Sequence, residues 1–288
     1  MTRRPAFFLL PLLLASAFWP AAPVRADPPE KAPAAMSMDG KGPMAMPTVL
    51  DRDTALAFSQ AAIGRQVGDY TFTTTTGASK NLAAYRGKPL IISLIYTSCY
   101  HICPRITQSL ARVIEDAQDA LGDDAFNVVT IGFDTKVDTP TRMASYQRAQ
   151  GIDLPHWDFL STDAQTVNQL ARDLGFIYMR SPKGFDHLAQ TTILNNRGEV
   201  ATQIYGIDID SRALIDPLKT QMLNTPAKLT SLTDIASRIH LFCTIYDPTL
   251  GRYRFDYSIF VGGIIGFFSL LGVAIIIVRE WRRGRKPS

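Results

Sequence analysis

The run Ser258–Val278, SIFVGGIIGFFSLLGVAIIIV, holds 21 residues without a charge. Wound as a helix at 1.5 Å per residue it is about 31 Å long, the thickness of a bilayer's hydrocarbon core. A chain with such a run cannot fold as one water-soluble core, so one C-terminal transmembrane helix is predicted over residues 258–278. The basic segment Arg279-Glu-Trp-Arg-Arg-Gly-Arg-Lys286 follows at once. By the positive-inside rule this tail, 279–288, stays in the cytoplasm. Tyr253, Tyr257 and Trp281 bracket the span as interfacial aromatics do.

The opposite end carries a second address. Arg3 and Arg4 precede an apolar stretch that closes on Val24-Arg25-Ala26, a small-x-small cleavage pattern. Residues 1–26 therefore read as a secretory signal peptide. Everything between the two segments is expected outside a bacterial inner membrane, in the periplasm, anchored by the single C-terminal span. A net charge of +4 would suggest a nucleic-acid binder. However, the signal contributes three arginines and no acid, and the tail five basic residues against Glu280. The remaining chain is net negative, which excludes a phosphate-binding surface as the source of the basicity. Three cysteines are too few for a disulfide-stapled scaffold, so the fold must rest on its own core.

Composition divides the exported part. Residues 27–61 are rich in Pro, Ala, Gly and Met and read as a flexible linker. Met36, Met38, Met44 and Met46 lie within it, soft thioethers that suit Cu(I) or simply a linker's bias. Residues 62–224 alternate strand and helix signals. Leu90–Tyr96 (LIISLIY) and Phe126–Phe133 are continuous apolar runs, the mark of strands buried on both faces. Pro104 opens a helix with the stripe Ile106, Leu110, Val113, Ala117 and Leu121. Further helices are expected at Asp138–Ala149, Asp163–Leu174 and Ile209–Met222. Strands are expected at Asp69–Thr75 and Trp157–Leu160, with a hairpin of Thr191–Asn195 and Glu199–Tyr205. This order predicts an α/β sandwich with a central mixed sheet. In the juxtamembrane segment 225–257, His240-Leu-Phe-Cys243 is spaced either for a second metal contact or as a buried thiol.

The chemistry concentrates in the loop after the first buried strand, Tyr96-Thr-Ser-Cys99-Tyr-His-Ile-Cys103-Pro104. Two thiols four residues apart, one at a helix start, can bridge or share a metal. A helix amino terminus favours the thiolate that both reactions require. Two thiolates suit a soft ion such as Cu(I), and one imidazole would complete a trigonal site. Of the four histidines, His187 immediately precedes the strand expected beside the cysteine strand, which makes it the natural third ligand. A surface histidine on a loop is the plain alternative.

These residues resemble the SCO/SenC family of thioredoxin-like copper proteins, which assemble the copper centre of cytochrome c oxidase. The likeness covers roughly Ala62–Met222. It rests on Cys99-x-x-x-Cys103-Pro104, on Phe133-Asp134-x-x-x-Asp138-Thr-Pro140, on Asp186-His187 and on Arg86-Gly87-Lys88-Pro89. The resemblance implies a thioredoxin-like fold and copper, as Cu(I) or Cu(II), on Cys99, Cys103 and His187. It places the family's acidic positions on Asp134 and Asp138, the latter also readable as an ordinary helix cap. One departure stands out: the family's loop has proline after the first cysteine, where this chain has Tyr100-His101. His101 is then an accessory ligand, a titrating neighbour or a solvent-facing side chain.

Two activities compete. One is a membrane-tethered metallochaperone that takes copper from another periplasmic chaperone and passes it to the copper-bearing subunit of a respiratory oxidase. The other is an enzyme, a thiol-disulfide reductase acting on the client's cysteines through the redox pair Cys99 and Cys103. Against a general reductase stand the C-x-x-x-C spacing and Gln190-Thr191-Thr192, which lacks the proline such folds place before the facing strand.

Overall fold

The computed structural model describes residues 51–182, 184–224, 241, 243–247 and 252–283. The signal segment, the Met36–Met46 cluster and His240 lie outside them.

Leu90–Ile95 forms β3, and every one of its six side chains is buried. Its five Leu and Ile side chains, broken only by the buried Ser93, leave it no face to offer water, so it takes a central place in the sheet. Asn127–Gly132 (β4) lies parallel to it on one side, with Ile95 opposite Gly132, and Gln190–Leu194 (β8) antiparallel on the other, with Ser93 opposite Thr191. Trp157–Ser161 (β5) continues the parallel block beyond β4. Thr71–Thr74 (β1) and Ser79–Asn81 (β2) close one edge, and Val200–Tyr205 (β9) the other. The seven-stranded order is β2-β1-β5-β4-β3-β8-β9. Helices Ile102–Leu121 (α2) and Pro140–Gln150 (α3) connect the parallel strands, Ala164–Leu174 (α4) follows β5, and Ser211–Asn224 (α5) follows β9. This mixed sheet with its helices is the predicted thioredoxin-like sandwich.

Several elements depart from the sequence expectations. Helix α2 starts at Ile102, two residues before Pro104. Proline is tolerated there because first-turn N–H groups have no intrahelical partner to lose. Arg52–Gln60, within the stretch read as linker, is a helix (α1) capped by Asp51, whose carboxylate accepts from the Thr54 N–H at 2.9 Å. It is tied to the sheet through Ser59, which donates to Gln190 at 2.8 Å and accepts from the Tyr205 hydroxyl at 2.8 Å. Tyr178–Ser181 (β6) and Gly184–His187 (β7) form a separate antiparallel ribbon where a loop was expected. Thr244–Asp247 (β10) and Arg252–Phe255 (β11) pair in the juxtamembrane segment. The last helix, Ser258–Arg283 (α6), is long and apolar enough to cross a membrane and buries none of its apolar window in the protein.

Candidate metal centre

Register decides where the site falls. The β3-α2 loop and the β4-α3 loop leave adjacent parallel strands at the same sheet edge. Because β8 runs antiparallel to β3 with Thr191 opposite Ser93, residues just before Gln190 come back beside those just after Ile95. His187, the last residue of β7, is thereby brought toward the cysteine loop. Both sides meet on Tyr96, whose ring lies edge-on to the His187 imidazole at 6.1 Å and whose carbonyl accepts from the Cys99 N–H at 3.1 Å.

The two thiols are not equivalent. Cys99 is half-buried and free, whereas Cys103, in the first turn of α2, is 1% exposed. The Cys99 sulfur accepts from the backbone N–H of Cys103 at 3.3 Å. The neighbouring Cys103 thiol, first, and the N–H groups at the helix start lower the Cys99 pKa to about 4, and burial opposes them. A sulfur facing the open amino terminus of a helix is held as thiolate. The hydrogen bond to Cys99 and burial push Cys103 far upward, so one proton stays on that sulfur.

His187 is prepared differently. Its Nδ1 lies 2.7 Å from the Leu188 carbonyl, which can only accept, so Nδ1 carries the proton. The bare lone pair is then on Nε2, the state an imidazole needs to ligate a metal. Burial lowers the His187 pKa and keeps the ring neutral, with the Leu188 contact opposing. Phe133 at 5.5 Å and Phe176 at 5.4 Å supply that apolar setting. Two sulfurs and a neutral imidazole form a soft donor set suited to copper. As they stand, no three His, Cys, Asp or Glu side chains among the described residues converge closely enough to hold a metal.

The remaining candidates separate. Asp138 is not a helix cap: Thr139 caps α3, accepting from the Arg142 N–H. Asp138 instead sits 1% exposed and accepts from the Thr97 N–H (2.8 Å), the Thr97 hydroxyl (2.7 Å) and the Asp134 N–H (2.9 Å). It clamps the start of the cysteine loop to the β4-α3 turn. The close approach requires Gly132, where an added Cβ would lie 2.4 Å from that of Asp138. Asp134 is buried and faces Arg180 of β6 at 3.6 Å, and Arg180 also covers the Phe185 ring at 4.8 Å. His101 is exposed and offers the site only its backbone N–H. Cys243 is buried. Sequence reasoning missed Tyr96, Thr97 and Arg180. Tyr96 ends an apolar run that reads as core, and its signal was a buried hydroxyl that must find a partner.

Comparison with known proteins decides the family. The SCO1/SenC family model matches residues 59–223, more than half of the chain. The chain belongs to the SCO1/SenC family. The SCO1 protein homolog of Bacillus subtilis (strain 168) is 24% identical over 149 residues, 50% of this chain and 75% of that protein. A crystal structure described as an electron transfer protein from Aquifex aeolicus VF5 is 27% identical, with a TM-score of 0.52 over 59% of this chain and 99% of its own. ScoI of Bradyrhizobium japonicum, solved with copper bound, is 21% identical, with a TM-score of 0.47 over 54% of this chain and 99% of its own. The SCO1/SenC match begins in the last turn of α1, runs to the end of α5 but for one residue, and includes all three proposed donors.

Proposed function

We propose that this chain is a membrane-anchored copper chaperone of the bacterial periplasm. Cys99, Cys103 and Nε2 of His187 hold its copper, and the copper-bearing subunit of a respiratory cytochrome oxidase receives it. Copper is cargo here, taken from another periplasmic chaperone and released by ligand exchange. One observation carries the reading: a thiolate paired with a buried thiol at a helix start, and a neutral histidine with Nε2 open, approach one tyrosine from opposite sides. Family membership and the soft donor set agree with copper. Residues 1–26 act as export signal, α6 spans the inner membrane and the basic tail stays in the cytoplasm. Anchoring raises the local concentration beside a membrane-bound recipient.

Anaerobic Cu(I) titration of the full-length reduced chain, competed with a chromophoric chelator, tests the assignment. One copper per chain is expected, lost in Cys99→Ser and Cys103→Ser and held more weakly in His187→Ala. Equal affinity in His187→Ala removes histidine from the donor set.

The asymmetry of the thiols supports a second activity. A preformed thiolate at Cys99 can attack a client disulfide, giving a mixed disulfide, and Cys103 then displaces the client thiolate while the pair oxidises to a disulfide. Rapid reduction of a model disulfide without tight copper binding would favour this reductase over the chaperone.

A further inference from the structure

The β6-β7 ribbon carries His187 but shares no ladder with the seven-stranded sheet, so side chains must seat it. Arg180 pairs with Phe185 across the ribbon and Tyr178 with His187, which puts all four side chains on one face. That face meets Phe133 and Asp134, the two residues that follow β4. The Phe133 ring packs against Tyr178 at 4.8 Å, Phe185 at 5.2 Å and His187 at 5.5 Å. Apolar contact of this kind is not directional and tolerates a small slide of one partner over the other.

Asp134 adds a fixed point. Its N–H donates to the Asp138 carboxylate at 2.9 Å, and its carbonyl accepts from the Asp138 N–H at 2.8 Å. The same Asp138 carboxylate accepts from the Thr97 N–H at 2.8 Å, so Asp134 is tied to the start of the cysteine loop. Among the described residues the buried Asp134 carboxylate has one ion-pair partner, the Arg180 guanidinium at 3.6 Å. Arg180 reaches it over the Phe185 ring, 4.8 Å away.

We infer that Arg180 is a positioning residue, its charge on Asp134 fixing the β6-β7 ribbon against the cysteine loop and so setting where the His187 imidazole stands relative to the thiols. The inference rests on reading Cys99, Cys103 and His187 as donors to one copper, yet the ion pair exists without metal. Exposed ion pairs contribute little, but here one partner is buried, and losing Arg180 leaves that carboxylate without its cation. The sign of the effect on copper separates positioning from charge. Removing a cation beside a site that takes a cation should, by Coulomb's law alone, tighten binding. Loss of a positioning residue weakens it.

The test uses the full-length reduced chain in detergent micelles with Arg180→Ala and Arg180→Lys. In the metal-free protein, amide exchange in β6 and β7 should accelerate about fivefold in Arg180→Ala, while β3 and β4 are unchanged. Anaerobic Cu(I) competition should show binding weakened by a similar factor. Adding Arg180→Ala to His187→Ala should bring no further loss, because the imidazole being positioned is gone. Arg180→Lys, which keeps the charge, should restore at least half of both effects. Parental exchange in the ribbon, unchanged or tighter copper binding, a full additional loss in the His187→Ala background, or no restoration by lysine would each overturn the inference. The Arg180 side chain is more than half exposed, so the variants should fold. If Arg180→Ala loses cooperative unfolding in urea, Arg180→Met keeps the stem over Phe185, removes the charge and carries the same readouts. A parent chain that binds no copper would refute the copper reading alone, leaving the exchange comparison to decide on Arg180.

Discussion

At the scale of single residues, two sulfurs of one loop differ because their surroundings differ. Cys99 receives hydrogen bonds from a thiol and from first-turn N–H groups, while Cys103 is buried beneath it and keeps the proton. The sign of the pH dependence follows. With the Cys99 pKa lowered to about 4, the thiolate is fully formed throughout the neutral range. Iodoacetamide labelling of the reduced chain should therefore fall on Cys99 and change little between pH 6 and pH 8. An ordinary thiol, with a pKa near 8.5, would accelerate by more than an order of magnitude over that interval. A labelling rate that climbs like that of a free thiol would refute the preformed thiolate. Asp138 offers a second test. Asp138→Asn can keep the Thr97 contacts on its oxygen but turns an amide N–H₂ toward the Asp134 N–H, leaving buried donors facing each other. The expected loss is about 2 kcal/mol in urea unfolding. None of this asymmetry was readable from Cys-x-x-x-Cys spacing, because hydrogen-bond direction depends on where the helix begins.

Elements show where periodicity suffices and where it fails. The apolar runs of β3 and β4 and the stripe of α2 are legible because burial on both faces, or on one helical face, writes itself into residue order. The β6-β7 ribbon is not, since its short strands carry no alternation and are held by an aromatic cluster drawn from three separate segments. Helix α1 escaped for a related reason: it follows a Pro- and Met-rich stretch and buries only Ala55 and Ser59. Its attachment is polar, through Ser59 to Gln190 and Tyr205. Ser59→Ala should leave the Gln190 side-chain Oε1 without this donor and lower stability by roughly 2 kcal/mol. Amide exchange in α1 should rise with it. If α1 stays as protected as in the parent, the helix is held by something other than this network.

For the molecule as a whole, the lead-in to α6 is part of the folded domain. Lys219 donates to the Thr244 carbonyl, the Tyr253 hydroxyl donates to Asp216, and Arg212 lies over the Tyr246 ring at 5.2 Å. The Asp256 N–H donates to the Cys243 carbonyl at 2.8 Å, and the Asp256 carboxylate then accepts from the Ser258 N–H that opens α6. Thr244 reaches the Ala120 carbonyl near the end of α2, whose first turn holds Cys103. The thiols and the lead-in thus occupy opposite ends of one 20-residue helix, about 30 Å long. A chain ending at Asn224 should unfold about 3 kcal/mol more easily than one ending at Asp256, the sum of lost hydrogen bonds and re-exposed apolar area. Equal urea midpoints would make the segment a passive tether. The sequence by itself determined the fold class, the apolar C-terminal helix and the family the chain belongs to, because composition, short-range period and motif spacing record burial and chemistry directly. Only the tertiary structure decided that Asp138 clamps rather than caps and that Ser59 ties α1 to β8 and β9. Each of those depends on contacts between residues far apart in the chain, which strand register brings together and residue order does not record.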